Sequence, residues 1–196
     1  MNTLVLMAGP DDAFREAGYQ YPKNLTELEG LPLMQHVTDN LAAVRALGGK
    51  FICCIRRDEN ERHHTAAALR LLVPDAIVVE VGATTGGAAC TALLAAQWID
   101  NDEPLLITNG DQLINADLVA MTRGFADKGL DGGIVVFQAV HPRWSYARVD
   151  ETGLVVETAE KRPISKFATA GTYYYSRGAD FVRGAMAMIR KDANVN

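Results

Sequence analysis

The chain has 196 residues, of which 48% are hydrophobic and 22% charged. A chain of that length buries roughly 70% of its unfolded surface without disulfide or metal staples, and its evenly spread apolar residues argue against disorder. The formal net charge is -5, and the densest basic spots are only pairs, such as Arg56-Arg57 and Lys161-Arg162. No basic stripe marks a duplex-binding surface, so nucleic acid is not an expected partner, whereas a small anion is compatible.

The longest apolar runs, such as Leu4–Ala8 and Ile134–Phe137, fall far short of the ~20 residues of a membrane span. No membrane association is therefore expected. The cysteines are Cys53, Cys54 and Cys90. An odd count without framework spacing points to reduced thiols and a cytoplasmic protein. No Cys/His spacing matches a zinc site, and no export signal is expected at the N-terminus.

In chain order, Thr3–Met7 reads as a buried parallel strand stopped by Ala8-Gly9-Pro10. A long polar loop runs to about Gly30, a length that is usually functional or disordered. Pro32–Leu47 reads as a helix, with Leu33, Val37, Leu41 and Val44 on one stripe and Gly48 as its cap. Phe51–Ile55 is a strand, Asn60–Leu72 a helix and Ile77–Val81 a β-branched strand. Gly87–Ile99 is helical in composition, Leu105–Thr108 a strand, Ala116–Lys128 a helix and Gly133–Val140 a strand. Tyr146–Val149 and Leu154–Val156 flank Asp150-Glu151-Thr152-Gly153 as a hairpin. Ala170–Tyr175 is a further strand, and Arg177–Arg190 is a closing helix. Strand–helix alternation predicts a mostly parallel sheet covered on both faces, and the hairpin predicts an antiparallel or mixed edge. One α/β domain over 1–196 is the economical reading.

Ligands of open α/β sheets bind beyond the carboxyl ends of the strands. Polar or Gly-rich segments fall there: the Gly9–Gly30 loop with Lys23, Thr84–Gly87 and Asn109–Gln112, with Glu160-Lys161 near the edge insertion. Gly admits close backbone approach and Lys suits phosphate. A carboxylate at a strand end, as at Asp111, is a common magnesium ligand. Read alone, each segment also fits a solvated loop, a turn or a capping residue. His141, Trp144 and Tyr146 fit a pocket or packing under the hairpin equally well, and His63-His64 fits a solvated face.

Their order is more specific. Strand–Ala8-Gly9–loop–Pro22-Lys23, Gly86-Gly87-Ala88-Ala89, Asn109-Gly110-Asp111, Glu160-Lys161 and Ala170-Gly171-Thr172-Tyr173 together resemble the sugar-phosphate nucleotidyltransferase family along the whole chain. Lys23-Asn24-Leu25, Gly30-Leu31-Pro32-Leu33 and Glu160-Lys161-Arg162-Pro163-Ile164-Ser165 add to the likeness. The resemblance implies a Rossmann-like three-layer sandwich of the glycosyltransferase-A type, with a mixed, mostly parallel sheet. It implies transfer of a nucleotide from a nucleoside triphosphate to a sugar 1-phosphate or related small phosphate, with pyrophosphate released and Mg2+ as cofactor. That activity belongs to sugar nucleotide and polysaccharide biosynthesis. Homo-oligomerisation stays open.

The same resemblance implies catalytic roles for Lys23, Asp111 and Lys161, with Asp111 as metal ligand. It implies nucleotide contacts from Ala8, Gly9, Lys23 and Gly110, and base contacts from Gly86, Gly87 and Ala88. Tyr146, Ala147, Glu160, Lys161 and Gly171 would face the sugar phosphate.

Two departures stand out. The family's opening loop reads Gly-x-Gly-Ser/Thr-Arg, whereas here it is Gly9-Pro10-Asp11-Asp12-Ala13. Two carboxylates there repel a triphosphate, by roughly 1 kcal/mol per charge pair at 4 Å in water and about 4 kcal/mol at an effective dielectric of 20. Compensation by Arg15 or an extra magnesium on the aspartates are the alternatives. The family's second metal-binding acid comes from a later segment, and this chain ends at Asn194-Val195-Asn196, so a C-terminally truncated core is expected. A non-catalytic nucleotide-sugar-binding or regulatory homologue is the competing reading. A nucleotide-sugar-dependent glycosyltransferase ranks third, because Asp111 lacks the partner of an Asp-x-Asp site.

Overall fold

The computed structural model describes residues 1–82 and 84–191, so the Asn194-Val195-Asn196 ending lies outside the described residues. The chain opens with β1 (Asn2–Leu6), α1 (Asp12–Glu16), a 3-10 turn (Lys23–Leu25), β2 (Glu27–Leu28) and β3 (Leu31–Pro32). There follow α2 (Leu33–Asn40), α3 (Ala42–Arg45), β4 (Phe51–Arg56), α4 (Arg57–His63), α5 (Thr65–Leu72) and β5 (Ile77–Val81). Next come α6 (Ala88–Leu93), α7 (Ala96–Ile99), β6 (Leu105–Asn109), α8 (Leu118–Asp127) and β7 (Gly132–Gln138). The described chain closes with β8 (Tyr146–Val149), β9 (Val155–Ala159), β10 (Phe167–Tyr175) and α9 (Gly178–Ile189).

The main sheet has the order β5-β4-β1-β6-β10-β8-β9, with β7 also paired to β10. The first four strands are mutually parallel. Every pairing from β10 onward is antiparallel. Since β7 and β8 both run against β10, they point the same way as the first four, and only β9 and β10 are reversed. The sheet is therefore mixed and mostly co-directional, as the sequence led us to expect. β10 takes β6 and β8 in turn on one edge and β7 along the other, with a register shift between Thr169 and Tyr173.

Period-two alternation in the strands feeds two separate cores. Val5, Cys53, Ile55 and Leu106 point to one face and pack under α2, α3, α5 and α8 residues such as Val37, Val44, Leu69 and Leu118. Leu4, Ile52, Cys54, Leu105 and Ile107 point to the other face, against Ala92, Ile99, Phe181 and Ala185 of α6, α7 and α9. Helices therefore cover both faces, giving the three-layer arrangement. Cys53 and Cys54 are buried, and Cys90 is half-buried and also free. Burial pushes the Cys54 thiol up to about 12. Among the described residues no helix is long and apolar enough to cross a membrane.

Several elements differ from the sequence reading. The opening loop is not structureless: Arg15 pairs with both Asp11 and Asp12 inside α1, and a β2–β3 hairpin precedes α2. The long helix expected over Pro32–Leu47 is interrupted at Leu41 (φ -93°, ψ 2°). There Asn40 is drawn sideways, exchanging two hydrogen bonds with the Ile114 backbone at 3.0 and 2.9 Å. The helix expected over Asn60–Leu72 starts earlier, at Arg57, and breaks at His64 (φ 55°). Asn60 caps the second piece by accepting from the Ala66 N–H at 2.9 Å. The segment Gly87–Ile99 likewise divides into two short helices. β10 begins three residues earlier than the composition indicated, because Phe167 and Ala168 pair with both β7 and β8.

Candidate active site

The C-terminal ends of the four parallel strands come out along one edge of the sheet. A cleft of about 730 Å³ opens there, lined by the strand ends Leu6, Arg56, Val81 and Asn109 and the loops that follow them. This is where a parallel sheet leaves backbone groups unpaired and loops free to vary.

Lys23 enters from the 3-10 turn. It is buried, and its Nζ donates to Asp111 Oδ2 at 2.6 Å. Asp111 follows β6 and lines the cleft. Gly9 leaves room for the lysine, since a Cβ there would stand 3.3 Å from Nζ. Gly110 lies tight against the end of β1: its N–H donates to the Leu6 carbonyl at 2.8 Å, and a Cβ would come within 2.4 Å of Met7 Cγ.

The 3-10 turn is anchored from beneath. Asn24 Nδ2 donates to the Met7 carbonyl at 2.9 Å and to both carboxylate oxygens of Glu59 at 3.0 Å. Thr65 Oγ1 donates to Glu59 Oε1 at 2.9 Å. Glu59 and Asn24 are both buried. Burial raises the Glu59 carboxyl above its ordinary range, against the lowering effect of the Asn24 and Thr65 hydrogen bonds. Asn24 Oδ1 is buried without a partner among the described residues.

The two carboxylates in the opening loop are not left unpaired. Arg56 Nη1 donates to Asp11 Oδ1 at 2.8 Å, and Arg15 Nε lies 3.6 Å from the same oxygen. Arg15 Nη2 also pairs with Asp12, and Arg56 holds Asp58 in a two-pronged contact. The Arg56 guanidinium keeps the Asp58 carboxyl below its usual range. Arg15, the compensating residue considered from sequence, does fold back. Arg56, at the very end of β4, joins it and was visible in the sequence only as half of a basic pair.

Opposite this loop, Gly87 (φ 125°) and Ala88 line the cleft, with Gly86 exposed between Gly87 and the lining residue Thr85. Thr85 and Thr91 share a hydroxyl contact at 2.6 Å that ties the loop to α6. Ala8 completes the near wall.

The residues expected on the sugar side are distributed differently. Gly171 (φ 62°) sits over the end of β6, where a Cβ would fall 2.2 Å from Asn109 Nδ2 and 3.1 Å from Gln112 Nε2. Gln112 Nε2 donates to the Ala170 carbonyl, and Thr108 and Thr172 share a hydroxyl contact at 2.8 Å. Tyr146 and Ala147 are buried in β8. The Tyr146 hydroxyl donates to the His141 carbonyl at 2.8 Å, and Trp144 packs edge-on against Phe137 of β7, with both rings exposed on their outer side. Glu160 and Lys161 are exposed beyond β9, 3.7 Å from each other, with Lys161 at φ 51°. The cleft thus gathers Ala8, Gly9, Gly87, Ala88 and Asp111, with Lys23, Gly86 and Gly110 immediately behind. Gly171 touches it through Asn109. Tyr146, Ala147, Glu160 and Lys161 do not line it.

Among the described residues no three His, Cys, Asp or Glu side chains converge as a metal cage. Of the three described carboxylates that line the cleft, Asp12 and Asp58 are held by Arg15 and Arg56, which leaves Asp111 as the one that would hold a magnesium whose remaining ligands are water and substrate. Asp111 fits that role, with Lys23 holding one of its two oxygens.

The fold and this strand-end cleft define an α/β protein with its candidate site at the carboxyl ends of the parallel strands. The Nucleotidyl transferase family model matches residues 6–188, and the chain belongs to that family. Among solved structures, it is similar to the nucleoside-diphosphate-sugar pyrophosphorylase from Vibrio cholerae RC9, with a TM-score of 0.83 and 26% identity over 97% of this chain and 80% of that one. A putative glucose-1-phosphate thymidylyltransferase from Bacillus anthracis shares the fold, with a TM-score of 0.78 and 15% identity over 98% of this chain and 77% of that one. So does a UDP-glucose pyrophosphorylase crystallised with UDP-glucose, with a TM-score of 0.69 and 17% identity over 94% and 78%.

Proposed function

We propose that the chain is a sugar-phosphate nucleotidyltransferase. A phosphate oxygen of a sugar 1-phosphate, or a related small phosphate, attacks the α-phosphorus of a nucleoside triphosphate. The new P–O bond forms as the bond from the α-phosphorus to the bridging oxygen breaks, and pyrophosphate leaves. The observation that carries this reading is the Lys23–Asp111 pair at the mouth of the strand-end cleft, beside Gly9.

Such a reaction asks the protein mainly for positioning and charge neutralisation. Lys23 holds phosphate oxygens near the α-phosphorus, from a side chain pre-oriented by burial and by Asp111. Gly86, Gly87 and Ala88 present backbone to the base. Gly110 lets β6 approach β1 closely, which fixes Asp111 relative to Lys23. Magnesium held by Asp111, when bound, supplies positive charge to the phosphates. Glu160, Lys161 and Gly171 belong to the side of the fold assigned to the sugar phosphate, with Tyr146 and Ala147 shaping it from within. The similarity to a nucleoside-diphosphate-sugar pyrophosphorylase supports the same chemistry.

A non-catalytic homologue is the second reading, motivated by Asp11 and Asp12. Their pairing with Arg15 and Arg56 weakens that motive. The test is pyrophosphate release from each common nucleoside triphosphate with magnesium and a panel of sugar 1-phosphates. Release that Asp111→Ala abolishes supports transfer. Tight nucleotide-sugar binding without release supports the second reading.

A further inference from the structure

We infer that Arg15 and Arg56 form a polyphosphate subsite in the cleft, for which the Asp11 carboxylate is a displaceable stand-in. The inference deepens the nucleotidyltransferase reading and rests on it for the identity of the ligand. Both arginines line the same cleft as Gly9, Gly87 and Asp111. Lys23 is already engaged by Asp111, so the arginines are the cations that the cleft wall offers beyond it.

The geometry at Asp11 carries the argument. Its Oδ1 accepts from Arg56 Nη1 at 2.8 Å and lies 3.6 Å from Arg15 Nε. Two guanidinium groups, one from a strand end and one from α1, therefore converge on one anionic oxygen. A phosphate oxygen placed there meets both. Phosphate suits this position better than a carboxylate, because it brings more charge and more acceptor oxygens to two planar donor forks.

The Arg15 side chain is 57% exposed, so its pairs are weak and quickly remade in water. Arg56 is 26% exposed and is held in place by Asp58, which lets it keep its orientation when Asp11 withdraws. Asp11 is the N-cap residue of α1, and its side chain, 11% exposed, makes no capping hydrogen bond to the helix, so its withdrawal leaves the helix end without a lost partner. In the empty cleft the carboxylates neutralise the arginines; in the occupied cleft, phosphate oxygens do.

The test is calorimetric binding of inorganic tripolyphosphate to the full chain at low and raised salt. Arg56→Ala and Arg15→Ala are each expected to weaken binding about tenfold or more, the loss of a charge-assisted hydrogen bond, with Arg56→Lys intermediate. Asp11→Asn is expected to tighten binding several-fold. Asp127→Asn, at the end of α8 that leads away from the cleft, controls for net charge and is expected to change it less than twofold. Circular dichroism melts confirm folding, and Arg15→Ala serves if Arg56→Ala fails to fold. Wild-type affinity in both arginine variants, or an Asp11→Asn effect no larger than that of Asp127→Asn, overturns the subsite. Absence of tripolyphosphate binding by the wild type overturns it too. If the arginine variants lose tripolyphosphate but no nucleoside triphosphate is turned over, the subsite stands and the functional reading falls. If the wild type turns over nucleotide and both arginine variants do so with unchanged KM, the functional reading stands and the subsite falls.

Discussion

Lys23 Nζ lies 2.6 Å from Asp111 Oδ2, although 88 residues separate them in the chain. The contact joins the loop after β1 to the end of β6 across two adjacent parallel strands. Removing either partner is expected to lower kcat by about 10²- to 10³-fold, the usual effect of losing one preorganised charge at a transition state. For Lys23→Ala, which leaves only the 39%-exposed Asp111 carboxylate without its partner, stability should change by less than about 1 kcal/mol. Steady-state pyrophosphate release and denaturant melts of Lys23→Ala and Asp111→Asn check both halves.

Glu59 supports that pair from below without touching the cleft. Glu59→Ala leaves the Thr65 hydroxyl without its acceptor and the buried Asn24 amide with the Met7 carbonyl alone, and should cost about 1–3 kcal/mol. Glu59→Gln keeps their acceptor and offers an N–H group for the orphaned Asn24 Oδ1. Burial raises the folded-state carboxyl above its ordinary value of 4.5. A raised acid binds more protons folded than unfolded, so its contribution is greatest below 4.5 and is lost as pH rises through the folded value. Relative to wild type, Glu59→Gln should therefore gain stability on going from pH 4.5 upward. Urea melts across that range would show a flat difference if the carboxyl were unperturbed.

Gly171 has φ 62°, and a Cβ there would fall 2.2 Å from Asn109 Nδ2. Gly171→Ala combines left-handed strain with a clash and should destabilise by about 1–3 kcal/mol. It should also displace Asn109 from the cleft wall. A rise in KM for the sugar phosphate larger than that for the nucleotide would match the assigned side; equal changes in both would contradict it.

Cys90 gives a probe of the opposite wall. Its Sγ would lie 3.5 Å from a Cβ at Gly86, and it is half-buried, whereas Cys53 and Cys54 are fully buried with raised thiols. A thiol reagent should modify Cys90 first in the native protein. Nucleoside triphosphate should slow that reaction if Gly86, Gly87 and Ala88 meet the base. Unchanged labelling with saturating nucleotide would remove that assignment.

The strands themselves and the mixed, mostly parallel sheet were legible because they rest on strong local signals. β-branched and apolar runs such as Ile77–Val81 and Leu105–Thr108 mark buried strands whatever their surroundings. The helix interruptions at Leu41 and His64 were not legible. They depend on Asn40 reaching Ile114 and Asn60 turning back to Ala66, contacts that exist only once the chain is folded. The same is true of the site. Lys23 and Asp111 stand out by type and position. Asn24 and Glu59 are ordinary polar residues until burial makes their hydrogen bonds matter. Arg56 was a fragment of a surface-like charge run until the end of β4 brought it to Asp11. Tyr146, by contrast, is drawn into the sheet interior, where its hydroxyl is satisfied by the His141 carbonyl.

The central claim is transfer of a nucleotide to a phosphate acceptor. Its most direct test is mass-spectrometric product analysis with magnesium, a nucleoside triphosphate and a sugar 1-phosphate. Nucleotide-sugar and pyrophosphate should appear in equal amounts with wild type and be lost in Asp111→Asn. Nucleotide hydrolysis without a nucleotide-sugar product, or product formation undiminished in Asp111→Asn, would contradict the account.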